Sequence, residues 1–378
     1  MSGIDFCDLA VPGVRELQPY QPGKPITELQ REYGVTDVVK LASNENPLGI
    51  SPLARYAAAE ALDDGSRYPD GNGFALKQAL SARHGVGPEC ITLGNGSNDV
   101  LDLVARVFLG PGRNAVFSQH AFAVYPIATR TAGADAHVAP ARPVDSEQPY
   151  GHDLSAMAGA VDEHTRVVFI ANPNNPTGTW CDGGEVEAFL ARVPGDVVVV
   201  MDEAYLEYAP GSEFPDCAAY LATYPNLVVT RTFSKVYGLA GLRIGYALSS
   251  PRIADLLNRA RHPFNANTVA QAAAAAALED RDFISRTVSL NSKERPRVAA
   301  ALRDMGYPCL PSAGNFLCVE VGAAAEVNEA LLRRGIIVRP LGGYQLPRHL
   351  RISIGLAEEN DRMLAAMKAL AESGSAAE

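Results

Sequence analysis

The chain has 378 residues, more than one ordinary domain usually holds, so two domains are expected. With 47% hydrophobic and 20% charged residues it has a globular composition, and no apolar run approaches the ~18 residues of a membrane span. Lys and Arg number 33 against 43 Asp and Glu, and the resulting net charge of −10 disfavours nucleic acid as a partner.

The first ten residues, MSGIDFCDLA, carry neither a basic stretch nor an apolar core of the signal-peptide kind. Cys7, Cys90, Cys181, Cys217, Cys309 and Cys318 are scattered without a C-x-x-C, which argues against a disulfide framework and against a metal site. A soluble, cytoplasmic protein with small-molecule substrates is the expectation. A Pro-rich arm occupies 1–40, and its weak periodicity suits packing on a neighbouring domain or subunit better than independent folding.

In chain order, Cys90–Leu93, Asn114–Ser118, Arg166–Ala171, Val197–Met201, Leu227–Arg231 and Ile244–Leu248 read as strands. Several are apolar end to end, as strands buried on both faces must be. Asp99–Phe108, with Val100, Val104, Val107 and Phe108 at helical spacing, and Glu185–Arg192 read as helices between them. This alternation predicts an α/β fold with a mostly parallel, doubly covered sheet in a large domain at 41–255. Beyond it the pattern turns helical at Ile253–Arg261, Thr268–Leu278 and Arg281–Met305. Short strands at Asn315–Val321, Ile336–Val338 and Leu350–Ile354 surround a helix at Ala325–Arg334, so a smaller α+β domain is expected at 256–378.

The chemistry-bearing residues follow the strands. Asn172-Pro173-Asn174-Asn175-Pro176-Thr177-Gly178 follows one strand, Asp202-Glu203-Ala204-Tyr205 the next, and Arg231-Thr232-Phe233-Ser234-Lys235 the third. In an open α/β sheet these ends form one ligand-binding edge. Each piece alone has a plainer reading: a turn for the Asn-Pro segment, a helix cap for Asp202, a solvated amine for Lys235. Together an amine, a carboxylate, an amide and a phenol match the needs of pyridoxal phosphate: a Schiff-base lysine, an acid for the ring nitrogen, and donors to the ring oxygen. Gly94-Asn95-Gly96-Ser97-Asn98 before a helix could cradle the phosphate or simply turn and cap. Arg243, read as opening an apolar strand, would supply a cation there.

These motifs resemble the aspartate-aminotransferase fold of pyridoxal-phosphate enzymes (fold type I), and within it the histidinol-phosphate aminotransferases. The resemblance runs nearly end to end, through Tyr20-Gln21-Pro22-Gly23-Lys24, Leu41-Ala42-Ser43-Asn44-Glu45-Asn46-Pro47, Arg67-Tyr68-Pro69-Asp70-Gly71, His120-Ala121-Phe122-Ala123-Val124-Tyr125, Ser234-Lys235 and Leu350-Arg351-Ile352-Ser353. It implies transamination between L-histidinol phosphate and 2-oxoglutarate in histidine biosynthesis. The same scaffold leaves an aromatic amino-acid aminotransferase, and a decarboxylase of a phosphorylated amino acid, as alternatives.

By the resemblance, Lys235 is the Schiff-base lysine and proton shuttle, Asp202 pairs with the pyridinium nitrogen, and Asn175 and Tyr205 bond the ring oxygen. Gly96, Ser97, Thr232, Ser234 and Arg243 hold the cofactor phosphate, and Phe122 stacks on the ring unless it is a core aromatic. Tyr68 reaches the partner's cofactor across a homodimer interface, or is only a turn tyrosine. Tyr20, Asn46, Arg339 and Arg351 bind substrate, with Arg339 alternatively a rim ion-pair residue.

Overall fold

The computed structural model describes residues 4–19, 22–209, 211 and 214–374. In chain order its first strands are β1 Val39–Lys40, β2 Ile91–Gly94, β3 Asn114–Ser118, β4 Asp135–Ala139, β5 Thr165–Ala171, β6 Val198–Asp202, β7 Leu227–Thr232 and β8 Gly245–Ser249. The later ones are β9 Phe316–Glu320, β10 Ile336–Ile337, β11 Arg339–Pro340 and β12 His349–Ser353.

A seven-stranded sheet runs in the order β2-β8-β7-β6-β5-β3-β4, and only β8 lies antiparallel to its neighbours. Alternate residues of each strand enter two cores. Val168, Ile170, Val199, Met201 and Val229 face one layer, which includes helices Phe74–His84, Gly183–Arg192 and Thr268–Glu279. Val167, Phe169, Val198, Val200 and Val228 face the other, with helices Ser97–Phe108, Val124–Thr131 and Pro251–Ala260. Burial on both faces is why these strands are apolar end to end.

The expected strands occur within a residue or two of their predicted bounds. The sequence pattern does not predict β4. It is an edge strand, Asp-Ala-His-Val-Ala, in which only Ala139 is buried, so it carries neither the apolar run of a central strand nor a β-branched pattern. Helix Val124–Thr131 is likewise an addition to the expected elements.

The smaller domain holds the antiparallel sheet β11-β12-β9, packed on Val298, Leu302, Leu331, Met363 and Met367. The division expected at 255/256 falls inside helix Pro251–Ala260, whose Ile253 and Leu257 belong to the large-sheet core. Helix Thr268–Glu279 belongs there too, burying Ala270, Ala273, Ala274 and Ala277. The chain leaves the large layer only along helix Arg281–Asp304, with Ile284 and Val288 against one core and Val298 and Leu302 in the other. The arm ties onto the smaller domain: β1 pairs in parallel with β10, and Leu29, Ala42, Leu332 and Ile337 form one cluster. No helix among the described residues is long and apolar enough to cross a membrane, and no group of His, Cys, Asp or Glu among them could hold a metal ion.

Candidate active site

The register of the large sheet assembles the site. Asp202 lies opposite Thr230 and Ala171, while Gly245 lies opposite both Thr232 and Gly94. Because β8 is antiparallel, its beginning rather than its end meets the carboxyl ends of β2, β6 and β7. That geometry brings Arg243, two residues before β8, to the same edge as Asp202 and Lys235. A cavity of about 280 Å³ opens there, lined on the large-domain side by Ser97, Phe122, Asn175, Asp202, Tyr205, Thr232, Ser234, Lys235 and Arg243, and on the smaller-domain side by Arg339 and Arg351.

Asp202 is buried and ends β6. Its Oδ1 accepts from Thr230 Oγ1 at 3.0 Å and its Oδ2 from Tyr125 Oη at 3.1 Å. The side chain makes no helix cap. Burial pushes the carboxyl up to about 6, while the two hydroxyls and Lys235 hold it down and Glu203 adds to the rise.

Lys235 stands three residues past β7. Its Nζ donates to the carbonyl of Ser43 at 3.2 Å and sits 5.5 Å from the centre of the Tyr205 ring. Tyr205 Oη accepts from Asn44 Nδ2 at 2.9 Å, which leaves its own proton for the cavity. Asn44 takes a left-handed backbone (φ 54°) and is fixed by Ser353 and Asn315 of the smaller domain. Ser43 and Asn44 thus belong to the site; the only sequence signal for them is their place in the Ala-Ser-Asn-Glu-Asn-Pro stretch.

Anion-binding groups gather at the other end. Ser97 opens helix Ser97–Phe108, whose N-terminal end favours negative charge. Gly96 precedes it at φ 82°, with the Arg243 guanidinium so close that a Cβ on Gly96 would come within 2.4 Å of Nη2. Gly245 is needed for a different reason: a Cβ there would lie 2.4 Å from the backbone nitrogen of Ser97. Ser234 N–H and Thr232 Oγ1 bond at 3.1 Å, and Thr232 Oγ1 donates to Ser234 Oγ at 3.0 Å, leaving the Ser234 hydroxyl proton available. Arg243 does not open β8 as expected. It lies two residues earlier, exposed, in a left-handed turn (φ 59°), with Nη1 bonded to Ala240 O at 3.0 Å. Its charge is therefore not forced into the sheet and needs no anion to be tolerated.

Arg351, on β12, is 5% exposed and reaches across the cleft: Nη1 donates to Asn175 Oδ1 at 2.5 Å and Nη2 to Ala42 O at 2.6 Å. With Oδ1 so engaged, Asn175 has its Nδ2 to offer the cavity. The buried Nε of Arg351 has no partner among the described residues. A buried charged donor left unpaired calls for an acceptor, and an anionic ligand in the cavity would supply one. Arg339 lies directly across from Arg351 in the β11–β12 register.

Two expected residues sit elsewhere. Asn46 does not line the cavity; its Nδ2 bonds Val236 O (2.8 Å) and Thr287 Oγ1 (3.1 Å), and its Oδ1 accepts from Leu48 N (3.0 Å). With the amide consumed in joining two chain segments, Asn46 is structural rather than substrate-binding. Tyr68 is 82% exposed and stacks on Phe264 at 4.7 Å, outside the cavity lining. Tyr20 lies outside the described residues.

The donor set fits pyridoxal phosphate: an amine, a buried carboxylate held by two hydroxyls, a phenol and an amide between them, and a glycine cradle beside an arginine and a helix start. Phe122 lines the same cavity and meets Tyr125 edge-on at 5.9 Å, so it is a site aromatic as well as a neighbour of the core.

A family model described as "Aminotransferase class I and II" matches residues 36–367. The chain is 56% identical over 371 residues to "Histidinol-phosphate aminotransferase 2" of Pseudomonas fluorescens, covering 97% of this chain and 98% of the relative. It is 58% identical over 365 residues to the protein of the same name from Methylococcus capsulatus, covering 96% and 98%. Among solved structures it resembles histidinol-phosphate aminotransferase from Sinorhizobium meliloti in complex with pyridoxal-5'-phosphate, with a TM-score of 0.87, 31% identity, and 96% and 98% coverage.

Proposed function

Because the chain belongs to the class I and II aminotransferases, we propose that it transfers the amino group of L-histidinol phosphate to 2-oxoglutarate, giving imidazole acetol phosphate and L-glutamate, as a step of histidine biosynthesis. The observation that carries the substrate is the opposition of Arg339 and Arg351 at the smaller-domain wall of the cavity. A phosphate monoester carries close to two negative charges near neutral pH, and a carboxylate one. Two guanidinium groups side by side suit the first while Arg351 alone serves the second.

The cofactor is pyridoxal phosphate, whose protonated ring withdraws electrons from the substrate carbon and makes its C–H bond acidic. Asp202, buried at the end of β6 with both oxygens accepting hydroxyl hydrogen bonds, would keep a proton on the ring nitrogen, and that positive charge would in turn favour the ionised carboxylate. Tyr205 and Asn175 each keep one donor free for the ring oxygen. Lys235 is the one amine among the described lining residues, so it can bond the cofactor aldehyde and, when displaced, take a proton from the substrate carbon and return it elsewhere. Ser97, Ser234 and Arg243 would hold the phosphate with the helix start, fixing the ring between Asp202 and Lys235.

The substrate assignment is tested by single-turnover spectra with histidinol phosphate, phenylalanine and threonine phosphate supplied separately. Histidinol phosphate should react fastest. In Arg339→Ala its half-reaction should weaken about 10–100-fold, the equivalent of one charge-assisted hydrogen bond, while the glutamate half-reaction loses much less. Equal losses with both donors would remove Arg339 from phosphate recognition and favour an aromatic amino-acid aminotransferase.

The protein acts as a cytoplasmic homodimer with shared sites in this reading. Tyr68 stands exposed beside Phe264, near Phe74, Leu62 and Tyr56 in the chain, an apolar set that a second copy would cover. The six cysteines are free, as in a reducing compartment. Mixing inactive Lys235→Ala protein with inactive Tyr68→Ala protein should restore activity, since exchange creates one site with both residues intact. No recovery after proven subunit exchange would leave Tyr68 as a surface residue only.

A further inference from the structure

Tyr125 is wholly buried on helix Val124–Thr131, behind the cavity rather than in its wall. Its ring stacks flat on Phe169 of β5 (4.9 Å between centroids, 9° between planes) and meets Phe122 edge-on. Those contacts leave the hydroxyl one direction to point, and it donates to Asp202 Oδ2 at 3.1 Å. We propose that Tyr125 is a positioning residue for the reaction: its hydroxyl, with that of Thr230 on the other oxygen, orients the Asp202 carboxylate and keeps it charged in a buried site.

The surroundings leave this task to the two hydroxyls and one amine. From its own strand end Asp202 faces Glu203, a like charge that is itself paired with Arg231 at 2.7 Å. From beyond β7 comes Lys235, which favours the charged carboxylate, and from the following turn Tyr205, buried and neutral. With an aldehyde cofactor bound, the Lys235 amine would be engaged elsewhere, leaving the two hydroxyls as the constant partners of Asp202. Tyr125 also joins two functions in one side chain, because the ring that aims the hydroxyl also buttresses Phe122. A phenylalanine would keep the second and lose the first.

The inference rests on the transaminase reading only for its kinetic arm. In Tyr125→Phe holoenzyme, kcat should fall about tenfold with little change in KM, and the acid limb of the kcat–pH profile should move upward by about one pH unit, since Asp202 loses a donor to its charged form. The second arm uses cofactor-free protein. There Tyr125→Phe should lower the unfolding temperature by about 2–4 °C at pH 8.5, where Asp202 is ionised, and by less than half as much at pH 5, where it is protonated. In an Asp202→Asn background this pH-dependent difference should vanish. A destabilisation equal at both pH values, or unchanged in the Asp202→Asn background, would reduce Tyr125 to a packing residue. The stability arm discriminates in this way whichever substrate the enzyme takes, because it needs none.

Discussion

Lys235→Ala is expected to abolish the visible absorption of lysine-bound cofactor and nearly all transamination. Lys235 is the sole amine among the described residues lining the cavity, and it stands at the one place where the ends of β6 and β7 and the start of β8 converge. Removal of a positioned general base alone slows a reaction by about 10²–10⁴-fold, and here the covalent attachment point goes with it. Cofactor binding should survive in part, because Ser97, Ser234, Arg243 and Asp202 remain. The check is a spectrum with added pyridoxal phosphate, followed by single turnovers with histidinol phosphate. A variant that kept both the lysine-bound band and turnover would relocate the reactive amine.

Asp202→Asn should show opposite effects on activity and stability. A neutral amide cannot hold a proton on the ring nitrogen, and loss of one buried electrostatic group of this kind typically lowers kcat by about 10²–10³-fold. The cofactor-free protein should gain stability at the same time. The folded-state carboxyl is pushed up from 3.8 to about 6 by burial, so folding is favoured by the protonated form; that stability is complete below pH 3.8 and is lost as pH rises through 6. The lost stability at pH 8 is on the order of 3 kcal/mol by the linkage relation, and the variant should recover part of it. Denaturant titrations at pH 5 and pH 8 would read this directly. If Asp202→Asn were no more stable than the parent at pH 8, the carboxylate would not be under the desolvation assigned to it.

Such a trade is common where a charged group is buried for chemistry rather than for folding. Asp202 contributes no helix cap and no ion pair to a surface network. Its two hydrogen-bond partners hold it at the cavity wall, where the proposed function gives it a ring nitrogen to meet. Arg351 behaves alike. Its Nη groups are bonded to Asn175 and Ala42, yet its Nε is buried without a partner among the described residues.

Much of this was legible along the chain because parallel strands bury both faces, so each central strand is a short apolar run and the polar residues that interrupt it must lie at its end. The runs before Asn172, Asp202 and Arg231 therefore located the binding edge, and the residue types found there named the cofactor. The fold class followed from local order plus family resemblance, and Lys235, Asp202, Asn175 and Tyr205, singled out in the same way, line one cavity. What failed did so for lack of such a pattern. β4 is an edge strand with little apolar alternation, and Asn46 shares its motif with Asn44 although only Asn44 bonds a cavity residue, Tyr205.

Tertiary structure alone decided three matters. The antiparallel direction of β8 brings Arg243 to the site from an exposed turn, because sheet direction depends on pairing partners far apart in sequence. The 24-residue helix Arg281–Asp304 contributes to a core of each domain, and Arg351 of the smaller domain meets Asn175 of the larger, a contact spanning 176 positions. Tyr125 enters the sequence reading only as part of a family motif; its hydroxyl acquires a purpose only when packing on Phe169 aims it at a carboxylate 77 residues away. The sequence by itself determined which groups the chemistry could use and at which strand ends they stand. Their mutual orientation was left to long-range packing, since no local pattern records which side chain a buried donor will meet.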